Sequence, residues 1–141
     1  MADIFTALWQ TLNSGLPVLL LQFLTTVVLL VVGVTCYVFI TPFNERALIE
    51  RGNRAAGLVL SGALLSIAIP LAATLATTGV WLDIVLWGSV AVVIQLLTFL
   101  LFTIFFRRFR TAIEADNVAI ALVLVGIQLS IAVLNAGAMA G

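Results

Sequence analysis

An all-α polytopic membrane protein, with four transmembrane helices formed by two parallel-repeat hairpins, is the fold class this sequence predicts. Three observations predict it. Of its 141 residues 64% are hydrophobic and only 9% charged, whereas a soluble domain carries about a quarter charged residues to build its surface. Four long apolar stretches hold no ionisable residue in their interiors. All positive charge is arginine, gathered as Arg46, Arg51 and Arg54 in one segment and Arg107, Arg108 and Arg110 in another.

The elements follow in order. Residues 1–16 precede the first span, and Ile4, Phe5, Leu8, Trp9 and Leu12 share one face at helical spacing, which predicts a short interfacial helix lying on the membrane. The start Met1-Ala2-Asp3-Ile4 lacks a basic n-region, so the first span is expected to remain in the mature protein. A helix needs roughly 20 apolar residues to cross the hydrocarbon core. Pro17 to Ile40 supplies the first, ended by Thr41-Pro42, where proline discourages further helix. Asn53 to Thr77 is the second, with a kink expected at Pro70; Ile84 to Phe106 is the third and Asn117 to Ala138 the fourth. Helix is preferred to strand because a lipid-exposed backbone must satisfy its own polar groups, and these runs lack the in–out alternation of a barrel strand.

Sidedness follows from the rule that short cytoplasmic loops carry the Arg. Both Arg loops are expected in the cytoplasm, with both termini and the 77–83 turn outside. Glu45, Glu50, Glu114 and Asp116 share the Arg loops and leave them net positive, while the other side has only Asp3 and Asp83. Trp9, Trp81 and Trp87 fall on the outer side, near span ends, as interfacial indoles should.

The chain repeats itself. A shift of 64 residues makes 12 of the 21 positions from Ile49 to Ile69 identical, including Ile49-Glu50 on Ile113-Glu114, Asn53 on Asn117 and Gly62 on Gly126. Spans one and three match under a shift of 73, with Gln22 on Gln95 and Thr25 on Thr98. Repeat one is expected over 17–78 and repeat two over 79–141. Two spans per unit return the chain to its starting side, so the halves share an orientation about an axis along the membrane normal.

Polar and small residues in this frame each have two readings. Gly62, Ser66, Ala68, Ala72 and Ala76 recur on span two, and Gly126, Ser130, Ala132, Ala136 and Ala140 on span four. Such rows let helices approach closely, predicting central packing of spans two and four, or else a pore-lining face. Gln22, Thr25, Gln95, Thr98, Gln128, Ser130 and Asn135 are either inter-helix hydrogen bonds or a polar path. Asn53 and Asn117, each three residues after a Glu, read as N-caps. Alternatively the loop residues Asn44, Glu45, Arg46, Glu50, Arg51, Asn53, Arg54, Arg107, Arg108, Arg110, Glu114 and Asn117 form a cytoplasmic docking surface.

Other chemistry is poorly provided for. No ionisable group lies inside a span, where such groups mark proton relays and coupled ion sites. The lone Cys36 reads as a small buried hydrophobe. With no His, no Cys set and no phosphate loop, neither an enzyme nor a cofactor or metal site is expected. Three Arg per loop beside two acids is a weak footprint for nucleic acid, so lipid and protein are the expected partners.

The run Ile40-Thr41-Pro42-Phe43-Asn44-Glu45, then Leu48-Ile49 and Asn53-Arg54-Ala55-Ala56, has a family pattern, as do Leu86-Trp87-Gly88, Gln95-Leu96-Leu97, Asn135-Ala136 and Met139. Together they resemble the bacterial domain of unknown function 350 family, the YjfL-like inner-membrane proteins. The resemblance runs over nearly the whole chain from span one, and the Thr-Pro-x-Asn-Glu segment is its most specific part. Arg54 departs from the Asn-Thr-Ala-Ala usual in the family and adds a positive charge. The resemblance implies a small duplicated four-helix inner-membrane protein, and gene neighbourhoods of such proteins imply a part in membrane maintenance or envelope stress. It implies no catalytic or binding residues. The expected function is a non-enzymatic, homo-oligomeric scaffold whose loops recruit a cytoplasmic partner. The alternative is a passive channel or small transporter lined by Gln and Thr.

Overall fold

The computed structural model describes residues 2–141. Its elements are α1 (Ala2–Ile40), α2 (Glu45–Glu50), α3 (Arg54–Thr77), α4 (Trp81–Phe105), α5 (Phe109–Glu114) and α6 (Val118–Ala140). No strand occurs among the described residues, and α1, α3, α4 and α6 are long and apolar enough to cross a membrane. The two Arg loops each hold a six-residue helix. Asn44, Asn53 and Asn117 cap α2, α3 and α6, their side chains accepting from the backbone N–H of Ala47, Ala56 and Ile120. Each short helix is followed by a left-handed residue before the next cap: Gly52 (φ 81°) after α2 and Asp116 (φ 57°) after α5. Glycine and, at some cost, aspartate tolerate that conformation.

The helix expected over 1–16 is not a separate element. From Ala2 onward the segment belongs to α1, which runs through Pro17 for 39 residues, about 58 Å at 1.5 Å per residue. The Nε2 of Gln22 donates to the Gly79 carbonyl (3.1 Å), and the Trp81 indole donates to Thr25 Oγ1 (2.8 Å). These bonds set Gln22 level with the α3–α4 turn, so residues 2–21 project beyond it by about 30 Å. Ile4, Phe5, Leu8, Trp9 and Leu12 are all more than half exposed on this arm.

α3 lies at the centre and makes its most extensive contact with α6, while α4 packs against α1, α3 and α6. Spans two and four therefore pack against each other, but only span two is central. Gly62 permits the approach: a Cβ built there would lie 2.5 Å from Val125 Cγ2. Gly33 lies against Val92 and Ile67, and Gly88 against Leu29 and Leu71, doing the same for α1 and α4. The expected small-residue rows are only partly used. Gly62, Ser66 and Ala132 are buried and Ala68 and Ala136 half-buried, but Ala72, Ala76, Gly126, Ser130 and Ala140 are exposed. The reason is position. Central α3 has neighbours on several sides, whereas peripheral α6 buries one face, Ala121, Leu124, Gln128 and Ala132.

At the Arg-loop end Tyr37, Phe43, Phe99, Phe102 and Phe109 close the bundle in one buried cluster. Tyr37 and Phe99 meet edge to face with centroids 4.6 Å apart, and Phe109 lies 5.4 Å from Phe102 and 5.7 Å from Phe43. Such pairs each add about 0.5–1.5 kcal/mol beyond area burial.

Candidate functional site

Side chains of the first Arg loop hold it to the second. Asn53, while its Oδ1 caps α3, donates from Nδ2 to the Ile113 carbonyl (2.7 Å). Asp116 accepts from the Ala55 N–H (2.8 Å) and from Arg54 Nε (3.0 Å). The Ala55 amide and then the Arg54 guanidinium hold the Asp116 carboxyl below its ordinary range. Around this seam Arg46–Glu50 and Arg110–Glu114 form exposed i,i+4 pairs at 2.9 Å, each worth only about 0.3–0.5 kcal/mol. Arg51, Arg107 and Arg108 are exposed and in no salt bridge among the described residues.

Glu45 departs from the docking surface expected of it. It is only 4% exposed, because the first turn of α2 tucks it under the end of α1, with Tyr37 and Thr41 around it. Thr41 Oγ1 donates to the Tyr37 carbonyl (2.9 Å), while both Glu45 oxygens and the Tyr37 hydroxyl lack a hydrogen-bond partner. Burial pushes the Glu45 carboxyl up; the hydroxyls of Tyr37 and Thr41 oppose this from outside hydrogen-bond geometry. Beside it a groove of about 740 Å³ is lined by Thr41, Phe43, Asn44, Arg46, Ile49 and Arg110, among others. Tyr37 and Thr41 escaped the sequence reading, although the Thr-Pro that ends α1 marked the position.

The residues expected on one polar path fall into separate places. Gln22 and Thr25 clamp α1 to the turn, Thr98 donates to its own helix at the Ile94 carbonyl (2.9 Å), and Ser130 does likewise at Gly126 (2.8 Å). Gln95 and Gln128 are each 1% exposed. Both amide atoms of Gln95, the Oε1 of Gln128 and the Nδ2 of Asn135 are buried without a partner. Counted along α4 and α6 from the turn end, Gln95 and Gln128 sit at similar depth, roughly 20 Å in. Asn135 lines a cavity of about 520 Å³ that opens at the turn end between α3, α4 and α6, with Thr74, Thr77, Thr78, Asp83 and Trp87. The aromatic cluster lies between these amides and the Arg loops.

Four apolar helices of crossing length, ionisable groups confined to their ends and polar atoms turned inward define a helical multi-pass membrane protein. The chain belongs to the Domain of Unknown Function (DUF350) family, which it matches over residues 11–139. Over 77 residues, 55% of the chain, it is 40% identical to UPF0719 inner membrane protein YjfL of Escherichia coli strain K12, and equally to that of Escherichia coli O157:H7. The match covers 58% of the length of those relatives. No solved structure matches the chain. The four helices and this likeness support a multi-pass protein of the inner membrane.

Proposed function

We propose that the chain is a non-enzymatic inner-membrane scaffold, built as two like-oriented hairpins, that recruits a cytoplasmic protein through its Arg loops. The observation that carries this reading is the seam between the loops. Asn53, Arg54 and Asp116 join two separate segments into one surface, from which Arg51, Arg107 and Arg108 project unpaired. A net positive face of this kind recruits an acidic partner and steers its approach. The duplicated architecture is supported by the matched short helices and by left-handed residues at Gly52 and Asp116, 64 positions apart. Placement of both loops in the cytoplasm and both termini outside rests on the Arg distribution. Homo-oligomer formation is supported by the projecting arm, whose apolar face no other element of the chain covers. A role in envelope maintenance fits a scaffold of this shape.

The test reverses Arg51, Arg107 and Arg108 to Glu and leaves the seam intact. Membrane insertion and oligomer size are expected to survive, while cytoplasmic proteins photo-crosslinked from position 49 in the cell are lost. An unchanged crosslinking pattern would remove the docking role. A channel lined by Gln and Thr is the second reading, favoured by the unpartnered amides of Gln95, Gln128 and Asn135. It requires flux in liposomes that Gln95→Leu with Gln128→Leu alters. The aromatic cluster at the loop end is the reason the scaffold is preferred.

A further inference from the structure

We propose that the turn-end cavity is a binding site for a small organic ammonium ion, independent of the loop surface at the other end. Hydrogen bonding fixes its chemistry. Three threonine hydroxyls line it, and each spends its single proton inside the protein: Thr74 on the Leu71 carbonyl (2.7 Å), Thr77 on the Ala73 carbonyl (2.8 Å) and Thr78 on Asp83 Oδ2 (3.2 Å). A hydroxyl has one proton and two lone pairs, so what these groups can offer an occupant is acceptor capacity. Asp83 adds a carboxylate that accepts from Thr78 at one oxygen and keeps most of its lone pairs free.

Charge points the same way. All six Arg belong to the loops at the far end of the helices, and the chain has no Lys and no His. No side chain of the chain therefore neutralises Asp83 across the cavity. Trp87 forms part of the wall, and an indole face attracts a cation most strongly of the aromatic rings. Asn135 also lines the wall, but its Nδ2 is shut away from the open space and gives an occupant no donor. The aromatic cluster beyond Gln95 makes the cavity a dead end, suited to binding rather than passage.

The experiment is calorimetric titration of the full chain in nanodiscs of phosphatidylglycerol, which lacks an amino headgroup. The probes are choline and 3,3-dimethylbutan-1-ol, the uncharged carbon analogue of choline. Choline is expected to saturate, with the uncharged analogue several-fold weaker, the scale of one cation–ring contact at an exposed site. Asp83→Asn and Trp87→Leu are each expected to weaken choline several-fold. Phosphatidylethanolamine in the nanodisc separates two sources of the same chemistry: competition with choline assigns the site to a lipid headgroup, and indifference to a free solute. Equal binding of choline and its uncharged analogue, or no saturation by choline up to about 10 mM, would overturn the proposal. That comparison uses the unaltered chain, so it stands even where a variant fails to fold.

Discussion

Glu45 and Asp116 are acids in adjoining loops with opposite responses to pH. Burial raises the Glu45 carboxyl above its unfolded value, so its contribution to stability is fully present below the ordinary carboxylate range. That contribution is lost as pH rises through the raised value. Asp116 is held low by the Ala55 amide and Arg54; its contribution is present above the ordinary range and lost as pH falls through the lowered value. Thermal melts in detergent across about pH 2 to 9 are expected to show Glu45→Gln flattening the alkaline-side decline and Asp116→Asn flattening the acid-side one. Asn keeps the left-handed backbone open to it, so the second variant reads the charge and not the turn. Identical slopes in Glu45→Gln and the unaltered chain would show that this carboxyl is already ionised in the fold. Nothing in the residue order revealed the difference. Glu45 and Glu50 look alike as loop acids, and only the tuck of α2 beneath Tyr37 separates a buried carboxyl from an exposed one.

At the scale of helices, equivalence in sequence and equivalence in packing part company. Gly62 and Gly126 occupy matching positions 64 residues apart, yet one faces Val125 and the other has nothing within 4 Å of its added Cβ. Gly62→Ala is expected to destabilise by about 1–3 kcal/mol through overpacking. Gly126→Ala is expected to be neutral or slightly stabilising, since Ala is about 1 kcal/mol the better helix former. Both are readable as midpoints of chemical unfolding in mixed micelles, and equal effects would contradict the central place of α3. The left-handed turn after α2 gives a third case: Gly52→Ala, at φ 81°, should cost about 1–2 kcal/mol. The four spans and most of their ends were legible, because hydropathy and the Asn, Pro and Arg boundaries are local signals; the start of α1 was not, since the helix runs on through Pro17. The small-residue rows were only half legible, because a row at helical spacing records that a face is smooth and not which neighbour it meets.

The whole molecule is polar at both ends in different senses. Its loop end is cationic, sealed by five aromatic rings and stitched across the two Arg segments; its turn end is acidic, open and lined by acceptors. Orientation is the property to measure here. Single cysteines at positions 51 and 79, with Cys36 replaced by Ala, are expected to react with an impermeant maleimide oppositely in intact cells. Position 79 should label from outside and position 51 only after permeabilisation. The reverse pattern would invert the molecule and send the acidic cavity to the cytoplasm. Charge asymmetry of this kind was visible in the sequence because it needs only counting. The separation of Gln22 and Thr25 from Gln95 and Gln128 was not, since a clamp at a helix end and an amide in a core differ only in what lies across from them.

The unbroken run of α1 has a mechanical consequence. Beyond the bonds at Gln22 and Thr25 it is a stiff rod about 30 Å long, and those two bonds are its fulcrum. The turn on which they bear also carries Thr78, and the next helix begins with Trp81 and Asp83, so the short side of this lever is the rim of the acidic cavity. Sideways force at Phe5 or Trp9 is thus delivered, by leverage and without any signal passing through the core, to the mouth of the cavity.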